Sequence, residues 1–222
     1  MNHRTIGLML AGTLLVPLGC GYTDAGGGTQ TLEVIAKLEY DFRDDETKIE
    51  VEVSKNGEAL EGARVRIEPD GGIGVDIPQQ NAGANAVYIL RDWQGYHRRI
   101  ELLVESGKDR VVAKLEGPGP HTIVNPESTS LSRSSLGDNL DVEWKVDDGV
   151  RADEVTISLD KGDYHSTIKD DPGHYEIPST ALESGEERVE VTRRNRIDLA
   201  GGIGRSTLEI SYEKEVDIVV NE

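Results

Sequence analysis

Apolar and polar residues alternate along much of the chain, beginning at residue 31. The first such run places mostly charged residues between the apolar positions Leu32, Val34, Ala36, Leu38, Tyr40 and Phe42. A period of two predicts a β-strand that buries one face and exposes the other to water. Similar runs recur at 49–53, 65–67, 87–89, 100–104 and 111–115. With turns at Asn56-Gly57 and Asp70-Gly71-Gly72, the pattern predicts about seven short strands over 31–117, as in a sandwich or barrel.

One stretch fits two patterns. Trp93, Tyr96, Ile100 and Leu103 have helical spacing, whereas Gly95 and the alternation over 96–104 favour a strand. We predict the strand.

A second β-rich half follows Gly117-Pro118-Gly119-Pro120, which we interpret as a domain boundary because neither proline can donate to a sheet. Alternation resumes at 140–146, 155–159, 175–177, 189–191, 208–212 and 216–220. Turns are predicted at Asp148-Gly149 and at Asp171-Pro172-Gly173. Beyond residue 120 we find no pattern of a long amphipathic helix, so the sequence predicts an all-β fold.

Two segments resemble known modules. NGEALEGARVRI, from Asn56 to Ile67, resembles a strand–turn–strand of bacterial immunoglobulin-like surface modules. The strand bearing Trp144, followed by ADEVTISL and YEIPSTAL, resembles fibronectin type III-like domains of bacterial envelope proteins. The resemblance implies two tandem immunoglobulin-like antiparallel β-sandwiches, at 31–117 and 121–222. The cysteine pair that flanks the core tryptophan of an immunoglobulin domain is absent.

The first 19 residues have the pattern of an export signal. Arg4 is the only formal charge before a mostly apolar stretch from Ile6 to Leu18, and small residues follow. A cationic head and an apolar stretch of about a dozen residues are typical of a secretory signal peptide. Such a stretch is too short to anchor a chain by spanning a bilayer.

Cys20, the only cysteine, directly follows Gly19 at the end of that signal. This junction resembles the lipobox of bacterial lipoproteins, although Pro17 stands where an aliphatic residue is usual. The resemblance implies that Cys20 carries diacylglycerol and begins the mature chain, which anchors the protein to a membrane. Gly21, rather than Asp, follows Cys20, which implies the outer membrane in a Gram-negative host.

The Gly-rich segment 20–30 contains no apolar pattern, and we predict that it is a short flexible tether between the lipid and the first sandwich.

Charge and cysteine content exclude several classes of function. Lys and Arg number 24 against 42 Asp and Glu, a formal net charge of −18. Nucleic-acid binding requires clustered basic residues, so we expect no nucleic-acid partner. The same charge disfavours attachment to anionic lipid by electrostatics alone. One cysteine allows neither an intramolecular disulfide nor a cysteine-built zinc site.

Catalytic and metal-binding patterns are weak. No Gly-x-Ser-x-Gly motif occurs, and the only thiol lies at the export junction, so we predict no enzyme and no catalytic residue. His165 and His174 flank Asp170 and Asp171, but their spacing matches no ligand pattern, so we predict no transition-metal site. Calcium is the alternative, because oxygen ligands cluster in two acidic loops, Asp41-x-x-Asp44-Asp45-Glu46 and Asp147-Asp148. Apart from calcium, we expect no cofactor.

Two loops are candidates for partner binding, because sandwiches commonly bind through end loops or an exposed edge strand. The segment 70–86 contains Gln79, Gln80 and Asn81, and the segment 194–206 begins with Arg194 and Arg196 of the basic run RRNR.

Three hypotheses follow. The first is a non-enzymatic, lipid-anchored envelope protein whose sandwiches act as a spacer and as a binding module for an envelope protein or glycan. The second is a structural subunit of an envelope or secretion assembly. The third is a polysaccharide- or peptidoglycan-acting hydrolase that uses paired carboxylates, although no Asp or Glu is singled out by its position.

Overall fold

The computed structural model describes residues 22–82, 85–127, 130–132, 136–161 and 163–221. The predicted signal peptide and Cys20 lie outside these residues. The strands are β1 (Asp24–Gly28), β2 (Glu33–Asp41), β3 (Glu46–Lys55), β4 (Glu58–Ala59), β5 (Arg64–Pro69), β6 (Val75–Asp76), β7 (Gln79–Ala82), β8 (Asn85–Gln94), β9 (Arg99–Ser106), β10 (Asp109–Glu116), β11 (His121–Asn125), β12 (Ser130–Ser132), β13 (Asn139–Val146), β14 (Glu154–Leu159), β15 (His165–Lys169), β16 (His174–Pro178), β17 (Gly185–Asp198) and β18 (Thr207–Asn221). Within these ranges, the 3₁₀ turn Ser179–Ala181 is the only helical element of more than one residue.

The strands form three sheets. The first has the order β1-β10-β9-β5-β6, and the smallest has the order β11-β13-β16. The large sheet has the order β15-β14-β17-β18-β2-β3-β8-β7, with β12 beside β18 and β4 beside β3. The predicted all-β class of antiparallel sandwiches is confirmed, and two pairings, β18 with β2 and β12 with β18, are parallel.

The large sheet forms one wall of both sandwiches. Its hairpin β17–β18 is paired without interruption from Gly185 opposite Val220 to Asp198 opposite Thr207. Over 189–194, β17 pairs with β14, whereas over 207–213 the other strand of the hairpin pairs with β2. Because even-numbered residues of β18 face both cores, the two smaller sheets cover the same face of the large sheet side by side.

Each core is built from inward-facing aliphatic residues of two sheets. The first core contains residues of β2, β3, β5, β9 and β10, and it also takes Leu199, Leu208 and Ile210 from the C-terminal hairpin. The second core contains Trp144 and aliphatic residues of β13, β14, β16, β17 and β18. The predicted domain at 31–117 is therefore incomplete, because three residues of its core come from beyond residue 198.

The prediction of a flexible segment over 20–30 is wrong for residues 24–28, which form β1 at the edge of the first sheet. Gly26 has a φ of +73°, and a methyl group there would overlap the Val112 carbonyl. A methyl group on Gly28 would overlap the Arg110 carbonyl and come within 2.8 Å of the Gly201 carbonyl oxygen. These glycines allow close backbone approach rather than flexibility.

We predict that Gly26→Ala releases β1 from β10, because the substitution adds steric overlap and backbone strain of about 1–3 kcal/mol. Proteolysis within 22–30 and amide exchange along β10 should both increase in this variant. Gly27→Ala is the matched control, since a methyl group at Gly27 meets nothing within 4 Å. Equal protection of the two variants would contradict the prediction.

The strand prediction for the ambiguous stretch at 93–104 is correct. β8 ends at Gln94, Gly95 turns the chain with a φ of +81°, and β9 begins at Arg99.

Candidate functional site

The predicted binding residues Gln79, Gln80 and Asn81 lie on β7, at one edge of the large sheet. The Gln79 side chain is used internally, because its Oε1 accepts a hydrogen bond of 2.8 Å from the Gly62 amide. This segment is therefore an edge strand rather than an irregular loop.

Arg194 and Arg196 lie on β17, and both belong to its outward row. Arg194 pairs with Glu154 at 3.0 Å and with Glu209 at 3.0 Å. Five strand spacings separate β17 from β7, about 24 Å at the usual 4.8 Å per strand. The structure does not bring the two predicted binding segments together.

Arg193, the neighbour of Arg194, points the other way and is fully buried. Its Nε donates to Asp171 Oδ2 at 2.9 Å, and its Nη2 donates to the Val150 carbonyl at 2.9 Å and also contacts Asp171. Its Nη1 donates to the Gly119 carbonyl. One guanidinium thus holds together the linker, the strand β17 and two loops of the second sandwich.

The Asp171 carboxylate is equally buried and accepts hydrogen bonds from Trp144 Nε1 at 2.8 Å and from the Ala152 amide at 3.2 Å. Burial alone would raise the pKa of Asp171, but the hydrogen bonds from Arg193 and Trp144 outweigh it and hold the pKa below its usual value. The pair is therefore ionised at neutral pH, and its lone pairs and protons are well satisfied.

We call the region where residues 117–120 cross β17 and β18 the waist. The linker is packed rather than free, since Gly117, Pro118 and Gly119 are buried. Tyr96 Oη donates to the Pro118 carbonyl at 2.6 Å, and the Gly119 amide donates to the Val150 carbonyl at 3.2 Å.

Aromatic rings fill the interior of the waist. Tyr212 lies 4.9 Å from both Tyr40 and Tyr96 between ring centroids, and His121 meets it edge-on at 5.3 Å. Burial, followed by the nearby Arg193 charge, lowers the pKa of His121 to about 3, so this imidazole is neutral and acts as a core ring.

Side chains also connect the two sandwiches around the waist. Arg98 of the first sandwich pairs with Asp148 of the second and with Glu116 at 2.6 Å. Asn195 Nδ2 donates to the Glu116 carbonyl at 2.9 Å. Together with the continuous hairpin, these contacts leave the two sandwiches no independent hinge.

An acidic cavity of about 430 Å³ lies on the outer face of the large sheet, lined by Glu39, Tyr40, Asp41, Asp44, Glu46, Lys48, Arg91, Asp92 and Glu213. Burial, together with the charges of Glu190 and Asp41, raises the pKa of Glu213 to about 7. The cavity therefore favours a proton or a cationic group over an anion.

Two of the four calcium candidates in the first acidic loop, Asp41 and Asp45, already accept hydrogen bonds from the protein. Asp45 accepts from Tyr40 Oη at 2.9 Å and from Gln94 Nε2 at 3.0 Å, and Asp41 accepts from the Arg43 amide at 2.7 Å. Asp148 of the second loop pairs with Arg98. Over the described ranges, no three His, Cys, Asp or Glu side chains are grouped to hold a metal ion. His165 and His174 lie on β15 and β16, which belong to different sheets.

A carboxyl pair that the sequence did not single out lies near the far end of the second sandwich. Glu187 is 2% exposed and lines a cavity of about 410 Å³ with Asp160, Lys161 and Arg188. Burial and a hydrogen bond with Asp160 raise the pKa of Glu187, whereas the same hydrogen bond lowers the pKa of Asp160. Of the two carboxyl groups, Glu187 therefore binds a proton more readily.

The spacing of Glu187 and Arg193 along β17 is a sequence signal that both side chains are buried. They share odd-numbered positions with Val189 and Val191, which face the second core. A charged residue that continues an inward apolar row requires a buried partner.

Comparisons with known proteins assign this chain to no family. No protein-family model and no curated protein matches the sequence. Among solved structures, one that matches is a two-domain fibronectin type III segment from chicken tenascin, with 16% identity and a TM-score of 0.24. The match covers 85% of this chain and 99% of the tenascin segment. Within the described ranges, no helix is long and apolar enough to cross a membrane.

Proposed function

We propose that this protein is a non-enzymatic, lipid-anchored envelope protein whose two sandwiches form a rigid spacer that presents a binding surface to an envelope protein or glycan. The observation that carries this proposal is the β17–β18 hairpin, which runs without interruption through both sandwiches. Domains in series usually move relative to one another unless their interface is large and apolar. Here a shared sheet and a buried ion pair replace the hinge, which suits a spacer.

The anchor is proposed from the sequence. The apolar signal, the junction Gly19-Cys20 and the position of that sole cysteine support lipidation at Cys20. A multiply acylated N-terminus holds a protein stably at a bilayer without a spanning helix. The cell envelope, and the outer membrane in a Gram-negative host, is the proposed location.

Lipidation is tested by expressing the full chain in a bacterium with a lipoprotein pathway. We predict a mature species that begins at Cys20, carries the added mass of acyl groups and enters the detergent phase. Cys20→Ser should abolish both the added mass and the partitioning, because the thiol is the attachment atom. A wild-type species cleaved elsewhere, with a free thiol and in the aqueous phase, would contradict the anchor.

The binding role is tested in the same cells by crosslinking and purification from the detergent phase. Joint replacement of Gln79, Gln80 and Asn81, or of Arg194 and Arg196, by alanine should remove a captured envelope partner while the fold is retained. Retention of every partner by both variants would place the binding surface elsewhere. A stable heteromer of fixed composition would favour the structural-subunit alternative.

The hydrolase alternative gains no support from the Asp160–Glu187 pair. The two carboxyl groups are close enough to share a hydrogen bond. Glycosidases that use two carboxylates hold them roughly 5–9.5 Å apart, to leave room for the sugar or a water molecule.

A further inference from the structure

We propose that the outer face of the five-stranded sheet β1-β10-β9-β5-β6 lies on the lipid headgroups of the membrane that holds the anchor. This inference rests on the proposed lipidation of Cys20. The facing surface is a bilayer that contains anionic phospholipid.

The first reason is the short distance between the anchor and the folded chain. Thr23 Oγ1 accepts a hydrogen bond of 3.1 Å from the Glu116 amide. Arg99 and Lys114 lie over the Tyr22 ring, at 5.6 Å and 5.8 Å from its centroid. Only Gly21 separates Tyr22 from Cys20, so an extended chain allows about 7 Å between their Cα atoms. The surface around Tyr22 must therefore lie at the headgroups.

The second reason is where the chain leaves the fold. β1 is an edge strand of the five-stranded sheet, and its first residue, Asp24, lies opposite Lys114 close to the waist. An anchor at the waist does not hold the molecule by one end. It leaves the hairpin β17–β18, which contributes to both cores, along the membrane, with one face of the molecule turned toward the lipid.

The third reason is charge. The outward positions of the five-stranded sheet carry five basic and six acidic residues. The basic ones are Arg64, Arg66, Arg99, Arg110 and Lys114, and the acidic ones are Asp24, Glu68, Asp76, Glu101, Glu105 and Glu116. The outward positions of β2 and β3, with Glu209 and Glu213 of β18, carry eight acidic and two basic residues, namely Glu33, Glu39, Asp41, Glu46, Glu50, Glu52, Glu209 and Glu213 with Lys37 and Lys48.

Salt screens charges beyond about 10 Å, so the composition of the facing surface decides the interaction with headgroups more than the net charge does. Of the two faces of the first sandwich, an anionic bilayer repels the outer face of the large sheet more strongly. The face that carries the anchor is also the one with nearly balanced charge.

An exposed apolar side chain completes this surface. Ile73 is 91% exposed, in the turn between β5 and β6. That turn starts beside the anchor region, since the Asp70 amide donates to the Arg99 carbonyl at 2.9 Å. Exposed aliphatic residues at a membrane boundary gain by entering the acyl layer.

The orientation is tested on the lipidated protein in vesicles of phosphatidylethanolamine and phosphatidylglycerol that contain a headgroup spin-labelled lipid. Glu105→Cys and Glu50→Cys are matched positions, because both side chains are glutamates that are 36% exposed, on opposite faces of the first sandwich. Acylation occupies the thiol of Cys20, so a fluorophore attaches only to the introduced cysteine. We expect quenching several times stronger at residue 105 than at residue 50.

Charge reversal supplies the control. Arg64→Glu, Arg99→Glu and Arg110→Glu together should remove the difference in quenching between residues 105 and 50. The triple variant Lys37→Glu, Lys48→Glu and Arg91→Glu changes the net charge equally and should leave the difference intact.

Intact mass, measured on each sample, distinguishes a failure of the proposed orientation from a failure of the proposed lipid anchor. Acylated protein with equal quenching at both positions, or stronger quenching at residue 50, overturns the orientation alone. Protein without acyl groups overturns the anchor and, with it, the premise of the orientation.

Discussion

A chain that ends at Gly119 is expected not to fold, although it contains the whole of the predicted first domain. Such a fragment lacks Leu199, Leu208 and Ile210, which are at most 5% exposed in the first core. It also lacks the parallel partner of β2 from Thr207 to Glu213. Burial of an aliphatic side chain contributes about 1.5–3 kcal/mol, so the three residues account for about 5–9 kcal/mol. That loss is comparable to the whole stability of a typical domain, about 5–15 kcal/mol.

Circular dichroism and amide NMR spectra of the fragment 1–119 measure this directly. Co-expression with the fragment 120–222 should restore a folded complex, because that fragment carries the complete hairpin. The fragment 120–222 should itself retain the second core, with Leu208 and Ile210 exposed. A fragment 1–119 that shows dispersed NMR signals and unfolds cooperatively would mean that the first sandwich does not depend on the hairpin.

Alternation of apolar residues predicted most strands because it reports burial on one face, which does not depend on the neighbouring strand. The same pattern cannot show which strands pair, so the shared hairpin was missed. Within β17, Arg193 and Asn195 interrupt the apolar row after Val191, and the sequence therefore indicated a short strand. The partner that allows Arg193 to be buried, Asp171, lies 22 residues earlier in the chain.

The Gly-rich segment gave a wrong prediction for a related reason. Residues 26–28 are glycines, which have no side chains. A flexible tether and a tightly packed backbone both require glycine, so composition alone does not distinguish them. The carbonyl groups of Val112, Arg110 and Gly201 that approach Gly26 and Gly28 come from distant parts of the chain. The sequence grouped Arg194 and Arg196, which belong to the outward row of β17, with Arg193, which faces the core.

Arg193→Ala is expected to destabilise the protein by about 3–5 kcal/mol at neutral pH, the usual cost of removing one partner of a buried ion pair. The substitution leaves the Asp171 carboxylate buried, with only Trp144 Nε1 and the Ala152 amide as donors. It also removes the hydrogen bonds that hold the Gly119 and Val150 carbonyls at the waist. Arg196→Ala, an exposed arginine on the same strand, is the control and should change stability by less than about 0.5 kcal/mol.

The pH dependence of the stability lost in Arg193→Ala shows whether the cause is the unpaired Asp171 charge or the loss of packing. In the wild-type protein the pKa of Asp171 is depressed, so the contribution of its ionised form is present above its unfolded pKa of about 3.9 and is lost as the pH falls through the lower folded value. Without Arg193, burial dominates and raises that pKa, so protonation relieves the penalty on acidification.

Denaturant unfolding at pH 7.5 and pH 5 should therefore give a smaller difference in stability between variant and wild type at pH 5. Asp171→Asn combined with Arg193→Ala should remove this pH dependence, because no buried carboxylate remains. A loss that is equal at both pH values in the single variant would mean that Arg193 stabilises the waist by packing rather than by neutralising Asp171.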